Sequence, residues 1–278
     1  MAIKDILVHV DSSVHAEARV TAAVELAKTQ GAHLSGLYVI SPPHLPGYIE
    51  AHLGENIVAE RVTALSEMAK RAEIAFTKAC ADSAIEFQWN QTQGDLAENL
   101  IRHVRYYDMA IVGQRDASED PQVGSDQLPD RLVLSAGRPV MVMPKEGASK
   151  PLGRKILICW DASRLATRAV NDTLPLLEEA DKVFVLVVDT KESAENMRNV
   201  TGANIAKHLA RHGISVEARK VTAKEHAIGD TILSKAVETG CDCIVMGGWG
   251  HQRWREMVLG GVTKHMLKHM SIPVIMSH

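Results

Sequence analysis

Short apolar runs alternate with helix-spaced apolar patterns along the whole chain. Residues 183–188, for example, are apolar at every position, which is typical of a parallel strand covered on both faces. Between such runs, apolar residues return every three or four positions, as on one face of a helix. The pattern therefore predicts alternating strands and helices, the arrangement of a doubly wound α/β fold.

The predicted elements fall into two similar sets. If each set has the flavodoxin-like strand order 3-2-1-4-5, its first and fourth strands are neighbours, and the crevice for a ligand lies at their carboxyl ends. Strands are expected near 4–10, 33–40, 85–91, 108–112 and 139–143, and again near 154–160, 182–188, 214–220, 242–246 and 272–277. Helices are expected near 164–179, 192–212, 226–239 and 259–270, with a longer second helix in the first set, near 56–81.

The two sets are copies of one another. Asp11 and Asp161 each end a first strand in an Asp-x-Ser sequence, 150 positions apart, and three later blocks recur in the same order. One of these blocks is a Gly-Asp pair, at 94–95 and 229–230, which is expected to cap the third helix of each copy. The sequence therefore predicts a tandem duplication, with domains at 1–146 and 152–278.

Composition narrows the class of protein. The chain has 278 residues and a formal net charge of -3, which gives no reason to expect nucleic acid or a membrane surface as partner. No apolar run approaches the length of a membrane span, and the amino terminus is typical of a first strand rather than a signal peptide. The cytoplasm is therefore the expected location. The four cysteines are expected to be reduced core thiols rather than a disulfide framework.

A glycine-rich stretch, 247–263, follows the predicted strand 242–246 and runs into the predicted helix 259–270. It contains two glycine pairs with Gly250 between them. Glycine allows tight turns and close approach of an anion to backbone N–H groups, and such a loop before a helix N-terminus is suited to phosphate. The alternative is a purely structural turn, and the sequence leaves both open.

The spacing Gly247-x2-Gly250-x9-Gly260 resembles the nucleotide loop of the universal stress protein family. Residues 161–163 and the closing Ile-Pro-Val at 272–274 are similar to the family as well. The resemblance covers the whole chain as two copies and is stronger in the second. It implies two tandem doubly wound parallel five-stranded sheets of the Rossmann-like, adenine-nucleotide alpha hydrolase-like class.

The same resemblance implies an adenine nucleotide in the second copy, ATP or a relative, with or without magnesium. Asp161 and the backbone of Val187 would lie near the adenine or ribose, and the glycine loop would line the phosphates. The implied site consists of Asp161, Ala162, Ser163, Val187, Met246, Gly247, Gly250, Gly260, Gly261, Val262 and Thr263.

Two departures from the family pattern matter. Gly261 stands where the family has Ser or Thr, so a hydroxyl that could hold a phosphate or its metal is missing, and Thr263 is the nearest substitute. In the first copy, Asp116 stands where the second glycine should be, and a carboxylate there would repel phosphate. The first site is therefore expected to be lost.

Three functions remain open on the sequence. One is a nucleotide-binding module of stress physiology that responds to its ligand, one is a slow ATP-hydrolysing enzyme of the same fold, and one is a pairing module that binds no nucleotide. No catalytic residue is predicted, because neither a nucleophile–base pair nor a Walker lysine is visible. His265 and His269 have metal-pair spacing but no evident third ligand, so no metal site is expected.

Each copy also ends in an apolar strand, and exposed apolar edges tend to be paired or covered. The two copies are therefore expected to pack together as an intramolecular pseudo-dimer. Homodimerisation of whole chains is left open.

Overall fold

The computed structural model describes residues 2–41, 55–115, 128–145, 152–190, 202–249 and 261–278, which form alternating strands and helices. The first half contains β1 (Asp5–His9), α1 (Ala16–Gln30), β2 (His33–Ile40), α2 (Glu55–Asp82), β3 (Phe87–Gln93), α3 (Leu96–Val104), β4 (Met109–Gly113), α4 (Leu128–Ser135) and β5 (Val140–Met143). The second half contains β6 (Lys155–Cys159), α5 (Arg164–Glu179), β7 (Lys182–Asp189), α6 (Ala203–Arg211), β8 (Val216–Thr222), α7 (Ile228–Thr239), β9 (Cys243–Gly247), α8 (Gly261–His269) and β10 (Val274–Ser277).

The ten strands form one continuous sheet in the order β3-β2-β1-β4-β5-β10-β9-β6-β7-β8. Neighbouring strands are parallel within each half, and the two halves meet where β5 and β10 pair antiparallel, with Val142 opposite Val274. The α/β class is confirmed, and each half has the strand order 3-2-1-4-5 that was assumed above and that the sequence alone does not fix. The expected packing of the two copies against each other is confirmed as well, and the pairing of their last strands joins the two expected sheets into one.

Both faces of this sheet are covered, and each face has its own core. One apolar cluster packs α1, α2, α5 and α6 against the sheet, and the other packs α3, α4, α7 and α8 against the opposite face. Each cluster draws residues from both halves, so apolar burial runs across the junction between them. Among the described residues, no helix combines the length and apolarity that a membrane crossing requires.

The two strands at the edges of the sheet, β3 and β8, begin and end about two residues later than the apolar pattern predicted. The sequence placed them at 85–91 and 214–220, whereas they are β3 (Phe87–Gln93) and β8 (Val216–Thr222). Ile85 and Ile214 pack against the core from the turns before these strands. The polar ends of both strands still pair with β2 and β7, because backbone pairing at a sheet edge does not need apolar side chains.

Other boundaries agree closely with the sequence. The helix predicted at 164–179 is α5 (Arg164–Glu179), and the long helix predicted at 56–81 is α2 (Glu55–Asp82). Of the helix predicted at 192–212, only α6 (Ala203–Arg211) and its flanks lie within the described residues, because 191–201 lie outside them.

One carboxylate recurs at the start of the sheet in both halves. Asp108, before β4, accepts hydrogen bonds from the backbone N–H groups of Lys4 and Asp5. Asp242, before β9, accepts from those of Gly153, Arg154 and Lys155. These side chains fix the amino ends of β1 and β6, which gives the repeated aspartate a structural role.

The repeated Gly-Asp pairs do not share one role. Asp95 is the N-cap of α3 and accepts from the N–H of Glu98 at 2.8 Å, as expected. The same expectation for Asp230 is wrong, since α7 begins at Ile228 and places Asp230 inside its first turn. There Asp230 lies 2.9 Å from Nε2 of His265, whose ring packs directly over Gly229.

All four cysteines are free, as the sequence indicated. Burial raises the pKa of the Cys80 thiol to about 11 and that of Cys159 to about 12. The pKa values of Cys241 and Cys243 are raised by burial too. The thiols are therefore protonated near neutral pH and are weak nucleophiles.

Candidate functional site

The candidate site lies at the carboxyl ends of β6 and β9, which are adjacent parallel strands with Ile158 opposite Val245. The next strand after β6 is β7, which lies on one side of this pair, and the next strand after β9 is β10, which lies on the other side. This is the point where strand order reverses, and ligands of doubly wound sheets bind at such points.

The turn after β6 is tightly organised and open to solvent. Asp161 is exposed, and its Oδ1 accepts from the N–H of Ser163 at 2.9 Å. Ser163 is the N-cap of α5, accepting through Oγ from the N–H of Ala166 at 3.1 Å. Ser163 is thus the cap of α5, and among the described residues the second carboxylate oxygen of Asp161 has no hydrogen-bond or ion-pair partner.

Two residues at this crevice have left-handed backbone conformations without being glycine. Ala162 has a φ of +59° and Trp249 a φ of +56°, and only Ala84 shares this property among the described residues. Such a conformation costs about 1–2 kcal/mol in an L-residue, and residues of this kind cluster at ligand sites. Their counterparts in the first half, Ser12 and Arg115, do not have it.

The first glycine pair has a packing role of its own. A Cβ at Gly247 would lie 2.8 Å from the backbone of Leu165 in the first turn of α5, and one at Gly248 would lie 2.5 Å from Cγ1 of Val133 in α4. Gly247 thus lets β9 end directly against α5, and Gly248 lets the loop begin directly against the first half. These packing contacts are therefore enough to explain why positions 247 and 248 are glycine.

The two ends of the glycine loop are tied to each other. The backbone N–H of Trp249 donates to the hydroxyl of Thr263 at 3.1 Å, and both residues are buried. Nζ of Lys264 lies 5.7 Å from the centre of the Trp249 ring, in cation–π range. The hydroxyl of Thr263 therefore accepts a bond within the protein, at the base of the loop.

The remaining predicted residues are placed as follows. Met246 and Val187 are buried in β9 and β7, whereas Gly261 is exposed and Val262 half-buried at the start of α8. Gly250 and Gly260 lie outside the described residues, as does Asp116 in the first half. Among the predicted site residues, the structure places Gly247 against the first turn of α5, the helix that Ser163 caps.

The equivalent crevice of the first half is filled by a buried arginine. Arg19 in α1 places a guanidinium nitrogen 2.7 Å from Oδ2 of Asp11, and its Nε donates to the carbonyl of His9 at 2.8 Å. A Cβ at Gly113 would lie 2.3 Å from Nη1 of Arg19. The guanidinium therefore lies between the ends of β1 and β4, at the position equivalent to the candidate site of the second half.

This cluster has shifted pKa values. Burial lowers the pKa of His9 to about 4, against the opposing effect of Asp11. Burial acts to raise the pKa of Asp11, but Arg19, His9 and the Ser13 hydrogen bonds outweigh it and lower that pKa to about 2. At neutral pH the cluster therefore contains a neutral imidazole and a buried carboxylate–guanidinium pair.

The residue aligned with Arg19 in the second half is Ala169, 150 positions later. Ala169 is buried and has no group that could reach Asp161. The sequence comparison missed this difference because it matched strand ends, helix starts and the glycine loop, and position 19 lies inside a helix. A charged residue at an otherwise apolar position of α1 was the signal that could have revealed it.

The candidate site also lies against the first half. Gln114, directly after β4, donates through Nε2 to the carbonyls of Leu267 and Lys268 at the end of α8. Burial raises the pKa of Asp130 in α4, and a backbone hydrogen bond and the charges of Lys264 and Arg115 only partly oppose this rise. Helix α8, which follows the glycine loop, is thus held by contacts from both halves.

Comparison with known proteins agrees with this architecture. A sequence model of the universal stress protein family matches residues 2–144 and again 153–278. The chain belongs to the universal stress protein family. It is a tandem member, and its relatives share the Rossmann-like nucleotide alpha hydrolase fold.

Individual relatives extend the likeness over nearly the full length of this universal stress protein. The Universal stress protein Slr1230 of Synechocystis sp. is 25% identical over 98% of this chain and 99% of its own. A universal stress protein structure from Archaeoglobus fulgidus superposes with a TM-score of 0.75 at 18% identity, covering 98% and 97% of the two chains. A Pseudomonas aeruginosa PAO1 structure described as functionally unknown has a TM-score of 0.61 at 14% identity, covering 99% and 92%.

Proposed function

We propose that this universal stress protein binds ATP or a related adenine nucleotide in its second half, in one copy per chain, and acts as a binding module in the response to stress. The observation that carries the proposal is the difference between the two crevices. In the first half Arg19 fills the space beside Asp11, whereas in the second half Ala169 leaves Asp161 exposed.

The chemistry around the second crevice supports an anionic ligand with a nucleoside end. The glycine spacing from Gly247 to Gly260 supplies backbone N–H groups before the start of α8, where the helix dipole favours negative charge. Asp161 offers a carboxylate oxygen to hydroxyl or amine donors of a ribose or base. If magnesium accompanies the nucleotide, it is held through the phosphates, since Gly261 provides no hydroxyl. The protonated, buried thiols fit the reducing cytoplasm, where we place the protein.

Equilibrium dialysis of the full chain against ATP tests the proposal, and we expect one site per chain. Gly250→Asp should abolish binding, because it adds a Cβ and a negative charge where the phosphates would approach. The matched variant is Asp116→Gly, which restores the glycine at the equivalent position of the first half. It should leave the stoichiometry at one, because Arg19 still fills that crevice.

Three results would contradict this function. Two equivalent sites in the unmodified chain would contradict the assignment to one half. No binding at millimolar ATP would favour a pairing module without a ligand. Unchanged affinity in Gly250→Asp would place the site elsewhere.

We further propose that the nucleotide is bound rather than turned over. Backbone N–H groups bind ground state and transition state about equally, and uniform binding does not accelerate the chemical step. Steady-state phosphate release with magnesium and saturating ATP should stay below about 1 per second, well under the median enzyme rate of about 10 per second. Faster turnover that is lost in Asp161→Asn would favour an enzyme.

A further inference from the structure

The ten-stranded sheet ends in two edge strands, β3 and β8, and neither outer edge is paired among the described residues. The N–H of Leu34 donates to the carbonyl of Glu86, and the N–H of Gly94 donates to that of Ile40. Even-numbered residues of β3 therefore direct their backbone groups toward β2. The odd-numbered residues Phe87, Trp89, Gln91 and Gln93 direct theirs outward.

The two edge strands differ in the charged residues that can prevent pairing with a strand of another molecule. Strand β8 contains Glu217, Arg219 and Lys220, and Arg219 bonds Glu217 at 2.8 Å while its guanidinium lies 4.6 Å from the centre of the Phe184 ring. Charged side chains of this kind commonly protect edge strands against association. Strand β3 reads FQWNQTQ, with no charged residue and no proline over its seven positions.

We propose that β3 is a self-association surface, on which β3 of a second copy of this chain pairs antiparallel about a two-fold axis at Asn90. In this register Phe87 faces Gln93 of the other copy and Trp89 faces Gln91, so all four outward-facing residues of each strand form backbone hydrogen bonds. Asn90 faces its own copy across the axis. A second copy suits this edge because self-pairing about a two-fold axis brings identical residues close together, and β3 has no charges to repel one another.

Antiparallel pairing of two copies about a two-fold axis is unfavourable at β8. A two-fold axis at its central residue would bring Arg219 directly opposite itself, and like charges facing each other across strands are destabilising. The contrast between the two edges selects β3. Because pairing along one strand buries less than the roughly 1,600 Å² of a standard interface, the association should be weak and should require a high chain concentration.

Sedimentation equilibrium of the full chain, from about 10 to 500 μM without nucleotide, tests the surface. Asn90→Lys should leave the chain monomeric, because two ammonium groups would face each other with Cα atoms about 4.5 Å apart. Asn90→Asp should do the same. An equimolar mixture of the two variants should restore the dimer, since opposite charges then meet at the axis.

The matched control is Gln88→Lys, which adds the same charge on the same face of β3. Its residue would face Thr92, and the two new lysines would lie about 13 Å apart, beyond effective interaction at 0.15 M salt. This variant should therefore still dimerise. Circular dichroism of each variant checks that the fold is retained.

The proposal is overturned if the unmodified chain is monomeric at 500 μM, or if it dimerises and Asn90→Lys does so equally well. It is also overturned if Gln88→Lys is as defective as Asn90→Lys, or if the mixture fails to associate, because either result excludes the two-fold register. None of these outcomes depends on nucleotide binding.

Discussion

Arg19 shows how one side chain distinguishes two otherwise similar crevices. Its guanidinium contacts the carboxylate of Asp11 and the carbonyl of His9, and it lies where a Cβ at Gly113 would collide with it. A buried ion pair of this kind contributes little net stability when complete, but removal of one partner leaves a charge without compensation. In the first half the space beside Asp11 is thus occupied by a polar cluster of the protein's own side chains.

Arg19→Ala, which introduces the residue present at position 169, should lower the free energy of unfolding by about 3–5 kcal/mol. The loss arises because the carboxylate of Asp11 remains buried without its partner. Urea denaturation measures it. Asp11→Asn combined with Arg19→Ala should cost less than Arg19→Ala alone, since no buried charge is then left. A cost below about 1 kcal/mol for the single variant would contradict the pairing described above.

His9 should make stability dependent on pH. Its pKa is about 4 in the folded protein, below the ordinary value of 6.5, so the unfolded chain takes up a proton first as pH falls. The stabilising contribution is complete above about pH 6.5 and is lost between about 6.5 and 4, amounting to about 3 kcal/mol. His9→Cys, the residue at position 159, should flatten this part of the stability curve. Equal slopes for both proteins in urea titrations at pH 7, 5.5 and 4 would count against it.

At the scale of elements, the residues at the start of α5 both cap the helix and form one wall of the candidate site. Ser163 caps the helix, Asp161 orders the turn before it, and Gly247 lets β9 end against its first turn. The left-handed conformation of Ala162 completes the same turn. One short segment thus fixes both a helix end and one wall of the candidate site.

Ser163→Ala should lower the free energy of unfolding by about 1 kcal/mol, because the N–H of Ala166 loses its acceptor. Ser163→Thr keeps a hydroxyl at the same place and should cost only a few tenths of that. Thermal and urea unfolding of the three proteins measure the difference. If alanine and threonine prove equivalent, the capping bond does not contribute as described.

At the scale of the whole molecule, the two halves share one sheet, two cores and several loop contacts. Strands β5 and β10 join the halves, and Gln114 from the first half bonds the end of α8 in the second. The contact between Gly248 and Val133 places the start of the glycine loop against α4. The first half thus supports the second even though its own crevice is filled.

Gly248→Ala should therefore destabilise the chain by about 1–3 kcal/mol, through a collision with Val133 in the other half. Val133→Ala in the same chain should recover part of that loss by making room for the new methyl group. A double-mutant cycle measured by urea unfolding gives the coupling between the two positions. Strict additivity of the two effects would show that they are not in contact.

The sequence by itself determined the local order of elements and their repetition. Continuous apolar runs and helical spacing are properties of neighbouring residues, so they predicted the strands, the long α2 and the tandem organisation. They also located the Asp161–Ser163 turn and the glycine stretch. The edge strands β3 and β8 were predicted about two residues too early because their carboxyl ends are polar. Their backbones still pair with β2 and β7 there.

Only the tertiary structure decided what lies next to each of these segments. Arg19 reaches Asp11 because α1 folds back over the end of β1, and Asp230 meets His265 because α7 and α8 pack side by side. Val133 meets Gly248 because two last strands from separate halves pair antiparallel. Such contacts join residues far apart along the chain. The spacing of apolar and polar residues reports only on neighbours in sequence, so it does not predict which distant side chain will occupy a given space.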